Sequence, residues 1–510
     1  MENINEKLKF TEIVFEESCE KMAECDFIVP DYYPDILQVV TTEAVPHLRT
    51  KKISDKKLTL EGFIEYRVFY ISENTDKLCS ISYPEDFMFS FDNAGDDEDT
   101  FIKVSMIPVT AVSKAINKRK LAPKCSISFN VKVWAKNEIP AVNIEELKDI
   151  EMKSDDIMVF NMPASTQKML SLSEDVAIPD SMPEATVLLR NECFTIINDI
   201  KTMANKTVIK GNAVVKFLYM NTEDNLSETE FELPFTHILD MSGIEENSDC
   251  DASYDVTDII CSLKQDENDE NRIISIDIEL TVNARILQNE TVKIVSDAYS
   301  TTFNCVLQTN MIKCEKIVMK NKDIYINKTD VKLDRNVSSI LHTFANIRPI
   351  SNEMTDGSYI TNSEMNINII CKNAEGEIFA VVKKVMIPLN TPFNNNSDNI
   401  RFENELNIHA LSCMIIDSNT VEIRSDIEMS SIGFSKEAVN AVRHVEVDEE
   451  SVKQNSFTSL LTIYYGKKDE CLWDIAKAYN TPMSAILTAN DILDESLTED
   501  NVLIIPKKVY

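Results

Sequence analysis

Apolar and polar residues alternate with a period of two along most of the chain. The alternation is clear from Leu58 to Tyr70, from Ser126 to Trp134 and from Ile274 to Val282. Successive side chains of a β-strand point to opposite faces of a sheet, so this period predicts strands with one buried face. We therefore expect a mainly β protein.

The pattern is duplicated at a spacing of 149 residues. The segment V-P-D-Y-Y-P-D-I begins at Val29, and I-P-D-S-M-P-E-A begins at Ile178, 149 residues later. The same spacing relates four further pairs, which are Gly62 and Gly211, Tyr70 and Tyr219, Ser126 and Ser275, and Ala135 and Ala284. One constant spacing between anchors so far apart indicates that a whole domain has been duplicated.

A third, divergent copy follows. The segment Asp277 to Leu280 resembles Asp426 to Met429, whereas the Pro-Asp motif is replaced by a segment that begins at Leu333. The predicted architecture is three tandem antiparallel β-sandwich repeats in a row, at residues 1–155, 156–305 and 306–450, with a small βααβ domain at 455–510. Polar stretches at 148–165, 300–314 and 446–454 are predicted to join these domains.

The Pro-Asp motifs are predicted to start helices. Asp31 is a residue of the N-cap type and Pro34 suits a first helical turn, and Asp180 and Pro183 repeat this arrangement. An apolar stripe follows the first motif, consisting of Ile36, Leu37, Val39 and Val40. Carboxylates here would also suit catalysis or metal binding, but no histidine accompanies them, and a cap and turn are the favoured interpretation.

Composition and charge exclude several functions. The chain has 85 acidic and 51 basic residues and a formal charge of −34, which argues against binding of nucleic acid or anionic lipid. Only 8 of the 510 residues are glycine, so glycine loops that hold phosphate are not expected. No signal peptide and no apolar run of membrane-spanning length is recognised. We expect no membrane insertion, and free thiols for the 12 cysteines, which form no C-x-x-C pair.

No catalytic or metal-binding constellation is visible. The five histidines lie far apart in the sequence, at His47, His237, His342, His409 and His444, and none accompanies a nucleophile motif. Acidic stretches at 96–99, 244–255 and 265–271 lack the spacing of a calcium loop and are predicted to be solvated. We therefore expect a protein that is not an enzyme, with no cofactor and no metal.

The last 50 residues change to a β-α-α-β pattern. Leu472, Ile475, Ala476 and Tyr479 share one face of the first predicted helix, and Asp469 or Glu470 stands where a cap is expected. The string C-L-W-D-I-A-K-A-Y-N-T-P-M-S-A-I-L-T-A-N-D from Cys471, with L-I-I-P ending at Pro506, closely resembles a LysM domain.

The LysM resemblance implies a binding site at two loops, because the family commonly binds N-acetylglucosamine polymers there. The candidate partner- or glycan-binding residues are Asp469, Glu470, Cys471, Trp473, Asp474, Asn490, Asp491, Glu499, Asp500 and Asn501. The usual Gly-Asp-Thr reads Asp469-Glu470-Cys471, and the usual Pro-Gly-Gln reads Glu499-Asp500-Asn501. Charged side chains thus replace exposed glycine backbone and must be desolvated on contact, which favours recognition of protein over glycan.

The whole chain resembles the SPOCS-domain family of clostridial spore-coat morphogenetic proteins. The resemblance rests on the Pro-Asp motifs at Pro30 and Pro179, the strands at Gly62 and Gly211, the D-A-Y-S-T stretch from Asp297, and the LysM terminus. It implies a coat-assembly scaffold in the mother-cell cytoplasm at the forespore surface. The implied partners are the ATPase of the coat basement layer and other coat proteins. The alternative is a cell-wall or cortex protein that binds peptidoglycan.

Overall fold

The computed structural model describes residues 8–96, 100–139, 149–355, 357–393, 399–453, 461–493 and 496–506. Within these ranges the protein is mainly β, all strand pairs are antiparallel, and the two short helices lie near the C-terminus. The predicted fold class is thereby confirmed.

Strands follow one another with little irregular chain between them. The strands of the first part are β1 (Leu8–Glu24), β2 (Phe27–Ile28), β3 (Ile36–Ser54), β4 (Lys57–Ser72), β5 (Leu78–Asp92), β6 (Thr100–Asn117) and β7 (Lys120–Ile139). Those of the second are β8 (Ile150–Asn161), β9 (Ser165–Ala177), β10 (Ala185–Met203), β11 (Lys206–Asn221), β12 (Leu226–Asp240), β13 (Cys250–Lys264), β14 (Ile273–Ile286) and β15 (Gln288–Ser300).

Two of the strands in the third part are unusually long. The strands here are β16 (Phe303–Lys332), β17 (Ser339–Thr355), β18 (Ser358–Lys372), β19 (Ile378–Pro392), β20 (Ile400–Asp417) and β21 (Thr420–Val452). The C-terminal module contains β22 (Leu461–Gly466), α1 (Leu472–Ala478), α2 (Met483–Asn490) and β23 (Asn501–Pro506).

Each copy is a sandwich of two sheets, each three-stranded except that the short β2 adds a fourth strand beside β7 in the first copy. In the first copy the sheet β3-β4-β5 packs on a sheet in which β7 lies between β1 and β6. The second copy repeats this with β10-β11-β12 and β9-β14-β13, and the third with β17-β18-β19 and β16-β21-β20. The alternating apolar residues of both sheets fill one core per copy, for example Leu60 and Phe129 in the first.

Strands that enter and leave the copies form a separate apolar stalk. The pair β8–β15 and the outer halves of β16 and β21 pack together through residues such as Ile157, Ile294 and Ile312. The prediction of polar joints at 148–165 and 300–314 is therefore wrong for the described residues, because side chains such as Ile157, Val159 and Ile312 there are buried. The described residues 446–453 of the third predicted joint are mostly exposed, and they continue strand β21 as far as Val452. The predicted boundaries 155/156 and 305/306 fall inside β8 and β16.

The three copies contact one another in a ring instead of following one another in a row. His47 of the first copy donates a ring N–H to the carbonyl of Val256 in the second (2.9 Å), and Lys216 of the second bonds the carbonyl of His409 in the third (3.3 Å). Asn366 of the third copy closes the ring by donating to Val109 of the first (3.3 Å). The expected arrangement in a row is corrected, because side-chain hydrogen bonds join all three pairs of copies.

The Pro-Asp segments form tight turns, so the predicted helix starts are wrong. Arg119 Nη1 donates to the carbonyls of Pro30 (3.2 Å) and Tyr33 (2.6 Å), which holds the turn closed. Arg272 closes the second turn in the same way, at the carbonyls of Pro179 and Met182. The residues after the first turn are rich in β-branched side chains, which favour a strand, and they form β3.

The spacing between equivalent residues of the first two copies changes after β6 of the first copy and β13 of the second. Arg119 and Arg272 occupy equivalent positions, yet they are 153 residues apart (272 − 119), because the loop between β13 and β14 is longer than that between β6 and β7. The pairs of Ser126 with Ser275 and of Ala135 with Ala284 are thus not structurally equivalent. Leu287 is the equivalent of Trp134, and both lie in one apolar cluster with Phe434 of the third copy.

Part of one predicted acidic loop is a half-buried strand. Residues 250–255 belong to β13, where Asp251 bonds Arg285 Nε (2.9 Å) and Asp255 accepts from Asn283 (2.7 Å). The guanidinium of Arg285 is almost fully buried and also bonds Glu403 of the third copy (2.7 Å). The charge pairs explain why carboxylates lie inside the fold here. Residues 97–99 of another predicted loop lie outside the described residues.

Candidate functional site

The C-terminal module has its own small core. β22 and β23 pair antiparallel, and the two helices pack on one face of this sheet through Leu472, Ile475 and Ile486. Helix α1 begins at Leu472 without a side-chain cap, so the predicted cap at Asp469 or Glu470 is wrong. The carboxylate of Glu470 instead accepts from the backbone N–H of Lys467 (2.9 Å).

Asn490 fastens the second helix to the last strand. Its Nδ2 donates to the carbonyls of Ile486 (2.8 Å) and Ile504 (2.7 Å), and its Oδ1 accepts from the N–H of Ile504 (2.6 Å). Asp491 ends α2 with a left-handed φ of 53°. The amide of Asn490 is thus engaged in the structure of the module, and Asp491 beside it is exposed.

The two loops at the candidate glycan site are bonded to each other. The N–H of Asp469 donates to Leu497 (2.8 Å), and the N–H of Leu497 donates to Glu470 (3.0 Å). Asp500 accepts from the N–H of Lys468 (2.8 Å). Cys471 and Ser496 form an isolated antiparallel β-bridge between the same loops. Asn501 Oδ1 accepts a hydrogen bond from the N–H of Val502.

Exposed carboxylates border these joined loops. The exposed acidic residues among the predicted site residues are Asp469, Asp474, Asp491, Glu499 and Asp500. A sugar that enters between the loops would have to desolvate these charges or displace the bonds that join the loops. The geometry is therefore unfavourable for a neutral glycan.

Trp473 lies against the second copy and away from solvent. It is only 4% exposed, and its Nε1–H donates to the carboxylate of Asp297 at 2.9 Å. Its ring meets the ring of Tyr299 edge-on, with centroids 4.9 Å apart. The side chain is therefore not open to a partner in this arrangement.

Two further contacts fix the module on the stalk strand β15. Lys477 Nζ bonds both carboxylate oxygens of Asp297 (2.7 and 2.6 Å), and Tyr299 donates its hydroxyl to the carbonyl of Thr481 (2.8 Å). Burial raises the pKa of Asp297, but the hydrogen bonds from Lys477 and Trp473 outweigh it and hold the pKa below its ordinary value. The D-A-Y-S-T stretch therefore seats the module.

The outer face of the module's sheet carries large apolar side chains. Ile463 lies opposite Ile504, and Tyr465 lies opposite Val502. These four and Leu461 are all exposed, Tyr465 at 77% and Ile463 at 58%. We call these five residues the module's apolar face. Isolated exposed apolar residues are ordinary, but a continuous group of them marks an interaction surface.

Sequence reasoning missed this apolar face because it concentrated on the loops. The run from Val502 to Ile505 is apolar at every position, although one face of a two-stranded sheet must lie outside the module. A strand with apolar side chains on both faces indicates that both faces are covered in use. That signal was available in the sequence.

The part of the chain that the structure describes offers no metal-binding group beside this surface. Among the described residues no group of three or more histidine, cysteine or carboxylate side chains could hold a metal ion. His47 stacks on Phe63, and burial lowers the pKa of its imidazole. All twelve cysteines are free thiols. In the described ranges no helix has the length and apolar character needed to cross a membrane.

Comparisons with known protein families agree with the domain resemblances. The family model described as SipL, SPOCS domain, matches residues 35–112, which cover β3–β5 and most of β6, and residues 185–264, which cover β10–β13. The LysM domain model matches residues 467–506. This combination is that of a SipL-like protein with SPOCS segments and a C-terminal LysM domain, as the sequence motifs indicate. Neither a curated protein nor a solved structure gave a significant match.

The matched families define the function in general terms. They indicate a sporulation-related protein whose C-terminal module is of a peptidoglycan-binding type. Both are families of binding domains without catalytic activity. The third copy has the same two-sheet fold, although no family match covers it.

Proposed function

We propose that this protein is a non-enzymatic scaffold of spore coat assembly. It acts in the mother-cell cytoplasm at the forespore surface, and its LysM module binds the ATPase of the coat basement layer. Other coat proteins bind the rest of the chain. The LysM module recognises protein and not glycan, and this is the part of the proposal that the geometry supports best.

The observation that carries the proposal is the module's apolar face. Burial of aliphatic and aromatic side chains drives association between proteins, at about 25 cal/mol per Å² of apolar surface. Ile463, Tyr465 and Val502 offer such a surface without an unpaired charge among them. The loops that bind glycan in LysM domains are joined to each other here and bordered by carboxylates. The module thus has a surface suited to protein.

The length of the molecule supports a linking role. Strand β16 has 30 residues, and at about 3.3 Å per residue it spans up to roughly 100 Å. At the first end of β16, the N–H of Lys453, which precedes the module, donates to the carbonyl of Thr302 (2.9 Å). At the other end of β16, the N–H of Leu333 donates to the carbonyl of Asn419 (2.7 Å) in a turn of the third copy. Partners bound at the two ends of β16 would be held in different layers of the coat. Because the binding sites are linked in one chain, each weak contact raises the effective concentration for the next.

The proposal is tested by measuring the binding of the full chain to the purified basement-layer ATPase. The variant carries Ile463→Thr and Tyr465→Ser, and the matched control carries Ile260→Thr, an isoleucine 62% exposed on β13. We expect the double variant to bind at least about tenfold more weakly, the cost of losing about 1.4 kcal/mol. Equal affinity of wild type and double variant would show that the apolar face is not the binding surface.

Peptidoglycan binding is the second candidate, and the match of residues 467–506 to the LysM domain favours it. The wild-type full chain and the variant Asp469→Asn/Glu499→Gln are each sedimented with purified peptidoglycan. The variant removes two exposed charges. We expect no retention of the wild type. Retention of the wild type without binding to the ATPase would replace the scaffold by a wall-binding protein.

A further inference from the structure

One end of the first copy carries a second group of exposed apolar side chains. Tyr32 is 82% exposed, Ile28 is 71% exposed, and Leu37 and Ile116 are more than half exposed. We call these four residues the first-copy patch. They lie at the end of the sandwich away from the stalk, next to the first Pro-Asp turn.

Backbone pairing places the four residues around one hairpin turn. Ile28 pairs with Lys120, and Asn117, which follows Ile116, pairs with Lys120 from the other side. The Pro-Asp turn that contains Tyr32 is held by Arg119, whose guanidinium donates to the two carbonyls described above. The N–H of Ile36 bonds Lys118 (3.1 Å), which brings Leu37 to the same turn.

The other copies show that the fold does not require these side chains. The same backbone bonds relate Ile28 to Ala177 and Leu37 to Thr186 in the second copy, because Ile178 and Ala185 bond Arg272 and Asn271 as Val29 and Ile36 bond Arg119 and Lys118. Tyr32 corresponds to Ser181 in the same turn. In the third copy the equivalents of Ile28 and Leu37 are Lys332 and Ser338. Large apolar side chains at positions 28, 32 and 37 belong to the first copy alone, whereas Ile116 has an exposed counterpart, Ile416, in the third copy.

The cations that border the patch are all neutralised. Lys118 pairs with Glu73 (2.5 Å), Arg119 with Asp35 (2.7 Å) and Lys120 with Asp26 (2.7 Å). The neighbouring hairpin of the second copy is joined by the ion pair of Lys77 and Asp224 (2.5 Å). In the second copy the equivalent turn, Asp266 to Glu270, is acidic where the first copy has Lys118 to Lys120.

We propose that the first-copy patch binds an apolar segment, flanked by lysine or arginine, of a partner protein other than this chain. The apolar side chains supply the buried contact, and the acidic surroundings on a chain of net charge −34 attract a basic partner. A second copy of this chain is disfavoured, because two chains that each carry a net charge of −34 repel one another. The inference does not depend on what the LysM module binds.

The test is site-specific photo-crosslinking in the cells that produce the protein. A photoreactive phenylalanine analogue replaces Tyr32 in one full-length chain and Ser181 in a control, and the crosslinked segments are sequenced. We expect an adduct from position 32 with an apolar segment that has lysine or arginine within a few residues, and at least fivefold less from position 181. Ile28→Ala/Leu37→Thr, which imitates the second copy, should lower the adduct from position 32 by at least fivefold.

Other results would overturn the proposal. No adduct from position 32, equal adducts from both positions, or an adduct with an acidic segment would each show that the patch is not a docking site of this kind. Sedimentation of the purified chain should show a monomer. A dimer that the Tyr32→Ser variant abolishes would assign the patch to a second copy. Because the residues are exposed, the variants should keep the unfolding midpoint of the wild type.

Discussion

Trp473 and Asp297 are joined by a hydrogen bond of 2.9 Å between the indole N–H and the carboxylate, which seats the C-terminal module on strand β15 of the stalk. The bond uses the aromatic residue that sequence reasoning assigned to partner binding. Lys477 adds an ion pair to the same carboxylate, at 2.6 Å. The orientation of the module, with its apolar face exposed, follows from this one acidic residue and its neighbours in β15.

The first prediction is that Asp297→Ala releases the module from the stalk. The change leaves the indole N–H and the ammonium of Lys477 without their acceptor, and a hydrogen bond to a charged group contributes about 1.5–3 kcal/mol. In a Trp134→Phe background Trp473 is the remaining tryptophan, and its emission should shift to longer wavelength. Acrylamide should also quench it more strongly.

The matched control for this release is Asp474→Ala. Asp474 is an exposed carboxylate on the same helix as Trp473 and Lys477. Its removal should leave the emission of Trp473 unchanged. If Asp297→Ala also left emission and quenching unchanged, the contact with Asp297 would not hold the module in solution.

The second prediction concerns Glu43, which joins two copies at the centre of the ring. Its carboxylate bonds Arg190 of the second copy (2.7 Å) and Arg67 of its own copy (2.8 Å), and all three side chains are largely buried. Glu43→Gln leaves both guanidinium groups undercompensated, and breaking a buried pair costs about 3–5 kcal/mol. Glu43→Gln should therefore lower the midpoint of urea unfolding.

The duplication supplies the control for Glu43. Glu192 is the equivalent residue of the second copy, 149 positions later (192 − 43), and its side chain is 40% exposed while it pairs with Arg190. Water can replace an exposed carboxylate beside its partner more easily than a buried one, so Glu192→Gln should lower the midpoint less than Glu43→Gln. Equal effects of the two variants would contradict the importance assigned to burial.

The third prediction is a dependence of stability on pH that Glu43 causes. Burial raises the pKa of Glu43, but Arg190 and Arg67 outweigh this and lower it from 4.5 to about 2. The contribution of a carboxylate with a lowered pKa is complete above its unfolded value and disappears as pH falls through the folded value. The difference in unfolding free energy between wild type and Glu43→Gln should thus be constant near neutral pH. It should narrow from pH 4.5 towards pH 2, and a difference that stayed constant over this range would contradict the assignment.

Local patterns predicted the strands well, because alternation reports directly which face of a sheet is buried. Leu58, Leu60 and Phe129 occupy the predicted core. The helix starts failed because Arg119, 85 residues beyond Pro34 (119 − 34), closes the turn from another strand. A contact between distant parts of the chain outweighed a local preference that is weak by itself.

The stalk and the seat of the module could not be read from the sequence for the same reason. Polar residues of β8 and β15 face outward, while Ile157 and Ile294 pack against other strands of the stalk. No local signal in the sequence indicates which strands these are. Asp297 looks like an ordinary exposed carboxylate in sequence. Only the fold brings it to Trp473, 176 residues later. The module itself was predictable because LysM residues such as Leu472 and Ile486 form a short-range core.

The fourth prediction explains the two glycines that mark the repeat. The strand opposite each has an irregular register, next to Leu48 in β3 and Ile197 in β10, which brings a carbonyl over the glycine. A Cβ on Gly62 would lie 2.0 Å from the carbonyl oxygen of His47, and one on Gly211 would lie 2.5 Å from that of Ile196. Neither backbone can yield without breaking strand pairs.

Gly62→Ala and Gly211→Ala should therefore each lower stability by about 2 kcal/mol or more, as overpacking does. Gly243→Ala is the control, because no atom lies within 4 Å of its added Cβ and only its φ of +82° opposes the change, at a cost of about 1 kcal/mol. Urea unfolding followed by circular dichroism measures the three variants. We expect the urea midpoint to be lowest for Gly62→Ala, intermediate for Gly211→Ala and highest for Gly243→Ala, because the closer carbonyl demands the larger backbone shift. Midpoints for Gly62→Ala at or above the control would show that β3 can move away from β4 without loss, and that the glycines mark the repeat for another reason.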